Sequence, residues 1–254
     1  MNVGINLYSL HTKIQSEAAL IETANRLKEM GYAYLQYSGA PFETGRLRRV
    51  IAETGLPVVL THVPMTRILE DTRALIAEHR EIGCQNIGLG MMPLACFEDE
   101  TRLKETIERL ERAAETMAAA DCRLFYHHHH FEFARLFGGT TVFDYMLAQT
   151  THLNFTPDTY WLQYGGVDIA RYIQKCKGRV ECIHLKDYAV TRDENGSFKP
   201  VFAPVGSGNI DFPALFDEMR KAGVKYYLVE QDDACQKAEP FSEVEKSVRY
   251  LKQF

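Results

Sequence analysis

Short, almost wholly apolar runs alternate along the chain with longer stretches in which apolar residues recur every three or four positions. The first kind reads as strand and the second as amphipathic helix. Residues 3–8 make a first strand. Residues 16–30 make a helix with the buried stripe Ala19, Leu20, Thr23, Ala24 and Leu27, ended by Gly31. Strand two is 33–37, followed by a helix over 42–54 closed by Gly55. Strand three, 57–62, is apolar on both faces, as a strand covered on both sides requires. A helix over 65–82 and strand four, 86–89, come next. The clearest helix is 97–120, where Leu103, Ile107, Leu110, Ala114 and Met117 repeat at helical spacing and charges fill the other faces. Strand five is 122–127, with a short helix at 141–149 after it; strand six is 153–157, with a helix at 167–176; strand seven is 179–185. A long loop is expected over 187–208. Asp211 then caps a helix to 222, with Pro213 tolerated in its first turn. Strand eight is 225–230, and Ser242 with Glu245 forms a capping-box pattern opening the last helix, to 252.

Eight strand–helix pairs with no linker or composition break point to one domain, residues 1–254, folded as a (β/α)8 TIM barrel. An open doubly wound sheet is the alternative. Composition supports an ordinary globular protein, 46% apolar and 25% charged. The net charge of −5 speaks against a polyanion partner, so no nucleic acid is expected. None of the six cysteines forms Cys-x-x-Cys, which leaves zinc-ribbon and redox motifs unsupported and buried free thiols as the reading. The first residues lack a basic segment and carry only a short apolar stretch, so no signal peptide is expected. No run approaches a membrane span. A cytoplasmic protein without a membrane partner is the expectation.

A barrel of this kind carries its active site at the C-terminal ends of its strands. Those ends are unusually polar here. Strand one ends at Tyr8, strand three at His62, and strand five in the run His127-His128-His129-His130 followed by Glu132. Strand six runs into Asp158, strand seven ends near His184 with Lys186 and Asp187 beyond, and strand eight ends at Glu230. Carboxylates and imidazoles converging from strands five to eight suit a divalent cation of intermediate hardness: Mn²⁺, with Mg²⁺, Co²⁺ or Zn²⁺ as options. Each residue also has a plainer role. Asp158 can cap a helix or make a turn, and His184 can be a satisfied core histidine. A charge at Glu230, ending an apolar strand, is costly unless paired. Successive strand residues face opposite sides, so only His127 and His129 of the run are expected on the pocket side, with the other two packing or capping the loop.

These residues carry a resemblance. The segments Gly4-Ile5-Asn6-Leu7-Tyr8-Ser9, Tyr126-His127 through Phe131-Glu132-Phe133, Asp158-Thr159-Tyr160-Trp161, His184-Leu185-Lys186-Asp187 and Val229-Glu230-Gln231-Asp232 stand in order along nearly the whole chain. In this the protein resembles the sugar phosphate isomerase/epimerase group of xylose-isomerase-like barrels, related to the endonuclease IV fold (AP endonuclease family 2). The resemblance implies one divalent metal held by two glutamates, an aspartate and a histidine. Asp158, His184 and Glu230 match three of those places. Glu132 is assigned the fourth as the only carboxylate of its segment, with His127 or His129 as alternatives. The family pattern Tyr-His-Asn-His-Asp-Phe-Glu-Phe is broken here by His128 and His130, and Ser207 stands where a glutamate is common.

The implied chemistry is removal of a proton next to the carbonyl of a carbohydrate substrate, with Glu132 and Glu230 as the acid–base pair. Returning the proton gives an isomerase or epimerase; loss of a β-hydroxyl instead gives a dehydratase like the related inosose dehydratases. Tyr8, His62, His127, His129, Trp161 and Lys186 are candidates to wall or contact the substrate, although barrel-mouth packing explains the rings equally well. The loop Gly206-Ser207-Gly208-Asn209 reads as a tight turn, or as a cradle for a phosphate or sugar hydroxyls. The acidic balance argues against the family's nuclease branch. A silent sugar-binding barrel remains the non-catalytic reading. Barrels of this group often pair, so a homodimer is a further expectation.

Overall fold

A computed structural model describes residues 1–254. Eight parallel strands make the central sheet: β1 (Gly4–Asn6), β2 (Tyr34–Tyr37), β3 (Val58–His62), β4 (Asn86–Leu89), β5 (Arg123–His127), β6 (Asn154–Thr156), β7 (Cys182–Leu185) and, after a hairpin described below, β10 (Tyr226–Val229). Their order around the sheet is β6-β5-β4-β3-β2-β1-β10-β7. The open seam between β6 and β7 is closed by a parallel bridge from Asp158 to His184, with the His184 amide donating to the Pro157 carbonyl at 2.9 Å. The result is a closed (β/α)8 barrel.

Alternation along these strands explains where the site sits. Tyr34, Leu60, Phe125, Cys182 and Leu228 form a small apolar cluster separate from the large one. Their strand neighbours Leu35, Tyr126, Ile183 and Val229 join the large core under the helices. The first set is therefore the plug inside the barrel. Two residues further along each of the same strands, on the same face, stand Gln36, His62, His127, His184 and Glu230. The barrel interior thus changes from an apolar floor to a polar layer within one strand repeat. Gly4 permits this packing on β1, since a Cβ there would lie 2.1 Å from the Tyr34 ring.

The helices follow the apolar stripes. Ser16 caps Glu17–Met30, and Asp99 caps Glu100–Ala118, which starts three residues later than its apolar pattern suggested. The expected single helix over 65–82 is two, Met65–Glu70 and Thr72–Glu81, broken at Asp71. The last helix begins at Pro240, so Ser242 lies inside it and makes no capping box. The expected loop after strand seven is a hairpin of β8 (Asp187–Arg192) and β9 (Phe198–Ala203). Its strands are largely exposed, so they show no apolar alternation for a sequence pattern to register. No helix is long and apolar enough to cross a membrane.

Candidate metal centre and active-site cleft

Four side chains meet at the polar layer. One ligand-capable atom from each of His127, Asp158, His184 and Glu230 lies within 4.8 Å of the others, and all four residues are buried.

Each is aimed by a partner outside the cluster. His184 Nε2 donates to Gln36 Oε1 at 2.7 Å, and Gln36 Nε2 in turn reaches His62 Nε2 at 2.9 Å. That relay fixes the proton of His184 on Nε2 and turns the lone pair of Nδ1 into the cluster. His127 Nδ1 faces the Thr156 carbonyl at 3.4 Å, leaving Nε2 free. Asn6 Nδ2 donates to Glu230 Oε1 at 2.7 Å, so Oε2 is the oxygen left inward. Asp158 divides its oxygens: Oδ1 accepts from the Trp161 amide at 2.9 Å, capping the helix Thr159–Tyr164, while Oδ2 points at the cluster. Both roles considered for Asp158 are therefore served by one carboxylate. His128 holds this residue in place, its Nε2 accepting from the Asp158 amide at 3.0 Å while Nδ1 bonds the His129 carbonyl at 3.0 Å.

Asp158 Oδ2, His184 Nδ1 and Glu230 Oε2 are fully buried and have no hydrogen-bond partner. His184 Nδ1 and Glu230 Oε2 stand only 2.7 Å apart, yet without the angles of a hydrogen bond. With the ring proton committed to Gln36, two lone pairs face each other there. Buried polar atoms are seldom left so, and a cation between them removes the conflict. Charge gives the same answer. Lys186 Nζ lies 3.2 Å from Asp158 Oδ2, 3.3 Å from Glu230 Oε2 and 3.0 Å from Asp232 Oδ1. Three carboxylates against one ammonium leave two negative charges, which a dication matches. Two imidazoles and two carboxylates suit Mn²⁺, Co²⁺ or Zn²⁺, and Mg²⁺ less well. The residues present fit a divalent ion.

The electrostatics are those of a low-dielectric site. Burial pushes the Asp158 carboxyl up to about 6, against the pull of Lys186. Burial also works against ionised Glu230, but the Lys186 ammonium beside it holds that carboxyl below the usual range. Lys186 keeps its charge despite burial because Asp158, Glu230 and Asp232 surround it. Burial drives His62 down to about 3 and His129 down to about 4, so both rings are neutral near pH 7.

A cleft of about 750 Å³ opens onto this layer. Tyr8, His62, His127, His129, Lys186 and Glu230 all line it. Trp161 does not: its indole packs beside His129, ring centroids 5.2 Å apart, and under Lys186 Nζ, 5.3 Å from the ring centre. Glu132 requires a correction. The strand ends at His127, and a 3-10 turn over Phe131–Phe133 breaks the alternation that was extended through the run. The Glu132 carboxylate points away from the cluster, accepting from the Tyr126 hydroxyl at 2.5 Å and the His129 amide at 2.8 Å. Burial pushes it up to about 7. His127 stands in the fourth place instead. Of the remaining histidines, His128 is the buried pin and His130 is exposed, stacked on Trp161. Asn6 and Gln36 were not foreseen, and His128 was expected to pack or cap the loop but not to hold Asp158. The signal for the first two was a carboxamide inside otherwise apolar barrel strands.

Comparison with known proteins agrees with the fold. A family model described as xylose isomerase-like TIM barrel matches residues 24–254. The chain is 26% identical over 252 residues to an inosose dehydratase of Geobacillus thermodenitrificans (strain NG80-2), covering 84% of this chain and 82% of that one. Among solved structures, a sugar phosphate isomerase/epimerase from Parabacteroides distasonis ATCC 8503 matches with a TM-score of 0.81 at 23% identity, over 99% of this chain and 93% of the other. A xylose isomerase-like TIM barrel protein from Mycobacterium smegmatis, in complex with magnesium, matches with a TM-score of 0.72 at 14% identity, over 99% and 95% of the two chains.

Proposed function

Since the chain belongs to the xylose isomerase-like TIM barrel family, we propose that it is a metal-dependent enzyme that takes a proton from the carbon next to the carbonyl of a keto-sugar or keto-polyol. The first reading is an isomerase or epimerase, in which the proton returns to carbon. The observation that carries this is the set of three buried, partnerless donor atoms, Asp158 Oδ2, His184 Nδ1 and Glu230 Oε2, opening onto a cleft.

The residues to hold the ion are His127, Asp158, His184 and Glu230. Bound there, a divalent ion supplies Lewis acidity, drawing off the negative charge that grows on the substrate's oxygens as the C–H bond breaks. The protein's own groups do the rest. Glu230, held ionised by Lys186, is the proton acceptor, and Asn6 fixes its orientation. Lys186 offers a fixed positive charge to the developing oxyanion. Gln36 and His62 keep His184 in one tautomer.

A second reading, dehydration, draws on a specific feature. With Glu132 turned away, no carboxylate faces Glu230 from the β5 side; the His129 imidazole stands there, with its Nδ1 buried and free of any partner. A β-hydroxyl departing beside that imidazole takes a hydrogen bond from it, and the proton held by Glu230 leaves with it as water. Product mass separates the readings when the Mn²⁺-loaded protein is incubated with ketoses and keto-inositols. An unchanged mass with altered configuration is isomerisation or epimerisation; loss of one water is dehydration. Glu230→Gln keeps its fold but loses turnover in both cases. Full activity in that variant rejects the assignment.

A further inference from the structure

The cleft is divided by strand order, and the division bears on what enters it. His127 and His129 at the end of β5, Lys186 after β7, and Glu230 and Asp232 after β10 make its polar side. The loops after β2, β3 and β4 contribute a different wall: Ala40, Pro41, Pro64, Met65, Met91 and Pro93. The stretches 38–42, 63–66 and 90–93 contain no charged residue. Met91 is half exposed at this wall. At about 750 Å³ the cleft falls among pockets sized for drug-like ligands, roughly 300–1,000 Å³, and exceeds what one sugar ring fills.

Two features speak against a phosphate. Lys186 is the sole cation lining the cleft, and its ammonium is already engaged by Asp158, Glu230 and Asp232. The glycine loop that could have cradled a phosphate is filled from within. The amides of Gly206 and Gly208 both donate to Asp187 Oδ2 at 3.0 Å, and that of Ile210 to Oδ1 at 3.2 Å. A buried carboxylate of the chain itself occupies the anion position.

Resting on the proposed enolisation chemistry, we infer that the substrate is an unphosphorylated keto-sugar or keto-polyol bearing an apolar, ring-sized substituent. The polyol part lies against the metal side and the substituent against the Met65–Met91 wall. A flexible thioether wall of this kind accommodates aromatic faces well.

The test measures binding apart from turnover. The Mn²⁺-loaded protein is titrated calorimetrically with methyl β-D-glucopyranoside, phenyl β-D-glucopyranoside and methyl β-D-glucopyranoside 6-phosphate as unreactive probes. The phenyl glycoside binds at least tenfold more tightly than the methyl glycoside, and the phosphate ester gains nothing over the methyl glycoside. In Met91→Ser and, separately, Met65→Ser, the phenyl advantage falls at least threefold while bound manganese stays stoichiometric. Equal affinity for the two glycosides, a preference for the phosphate ester, or an undiminished phenyl preference in both variants overturns the inference. Exchange with deuterated solvent of the C–H protons next to the carbonyl, in a panel of ketoses, keto-inositols and phenyl-substituted keto-sugars, is followed in parallel. Phenyl-selective binding without exchange would refute the enolisation chemistry and leave the wall's preference standing; exchange without phenyl selectivity does the reverse.

Discussion

Supplying or withdrawing a divalent ion should change the stability of this protein by an amount the cluster sets. Three buried donor atoms lack partners. An unsatisfied buried polar group costs about 1–3 kcal/mol. The two carboxylate oxygens among them meet only the Lys186 ammonium and the His184 nitrogen meets no donor, so part of that cost stays in the ion-free fold and a bound ion relieves it. By mass action, an ion present at 100 times its dissociation constant stabilises the folded state by about 2.7 kcal/mol. For a chain of this length each kcal/mol moves the melting temperature by about 2–4 °C, so a rise of roughly 5–10 °C is expected on adding Mn²⁺ to chelator-treated protein. Differential scanning calorimetry reads it directly. Asp158→Asn is the matched control. Asparagine caps helices as well as aspartate does, so the bond from the Trp161 amide survives, while the charge facing the cluster is lost. The variant should fold and should lose most of the Mn²⁺-dependent rise. No rise in the parent protein, or an equal rise in Asp158→Asn, would refute the placement of the ion.

Other expectations follow from the surroundings of the site. His128→Ala removes a buried ring and the acceptor for the Asp158 amide; it should cost about 2–4 kcal/mol in urea unfolding and weaken Mn²⁺ binding by about 10–100-fold. Glu132→Gln should retain stoichiometric manganese by elemental analysis, because its carboxylate bonds Tyr126 and the His129 amide rather than the cluster; loss of the metal would return Glu132 to the ligand set. His79, bonded to Thr61 and the Leu75 carbonyl, is driven by burial from 6.5 to about 4. The unfolded chain therefore binds that proton first as pH falls, and stability drops between about pH 6.5 and 4, by about 3 kcal/mol, with no further change from this group below. Urea midpoints measured across that range should show a shallower loss in His79→Gln.

Much of this was readable before the structure, for physical reasons that also mark the limits. The barrel was legible because strands buried on both faces and one-sided helices leave distinct apolar patterns, and because glycines such as Gly31 and Gly55 stop helices where the chain must turn back. The β8–β9 hairpin was not, since its exposed strands need no apolar alternation. Glu230 stood out because charge at the end of an apolar strand is costly unless paired, and Asp158 and His184 because they join it among the polar strand ends at one mouth of the barrel. Asn6 and Gln36 did not, because a carboxamide in a strand has no comparable cost signature, although it is their hydrogen bonds that aim Glu230 and His184. Glu132 was misplaced because it was chosen as the only carboxylate of its segment, whereas the chain turns after His127 and its carboxylate bonds Tyr126 and the His129 amide. Strand alternation already put His127 on the pocket side and left it open as the ligand; the course of residues 128–133 and the contact of its ring with the Thr156 carbonyl favour it over Glu132.

The central proposal is proton abstraction at the C-terminal end of the barrel strands, where His127, Asp158, His184 and Glu230 meet. Incubating the Mn²⁺-loaded protein with a panel of ketoses and keto-inositols in deuterated water, followed by NMR and mass analysis of each compound, tests it directly. At least one compound should gain deuterium at the carbon next to its carbonyl, or yield a dehydrated product, with the protein and with its metal, and not after chelation or in Glu230→Gln. A panel that includes substituted keto-sugars and shows no exchange beyond the solvent rate, in a protein proved to hold its ion, would contradict the claim.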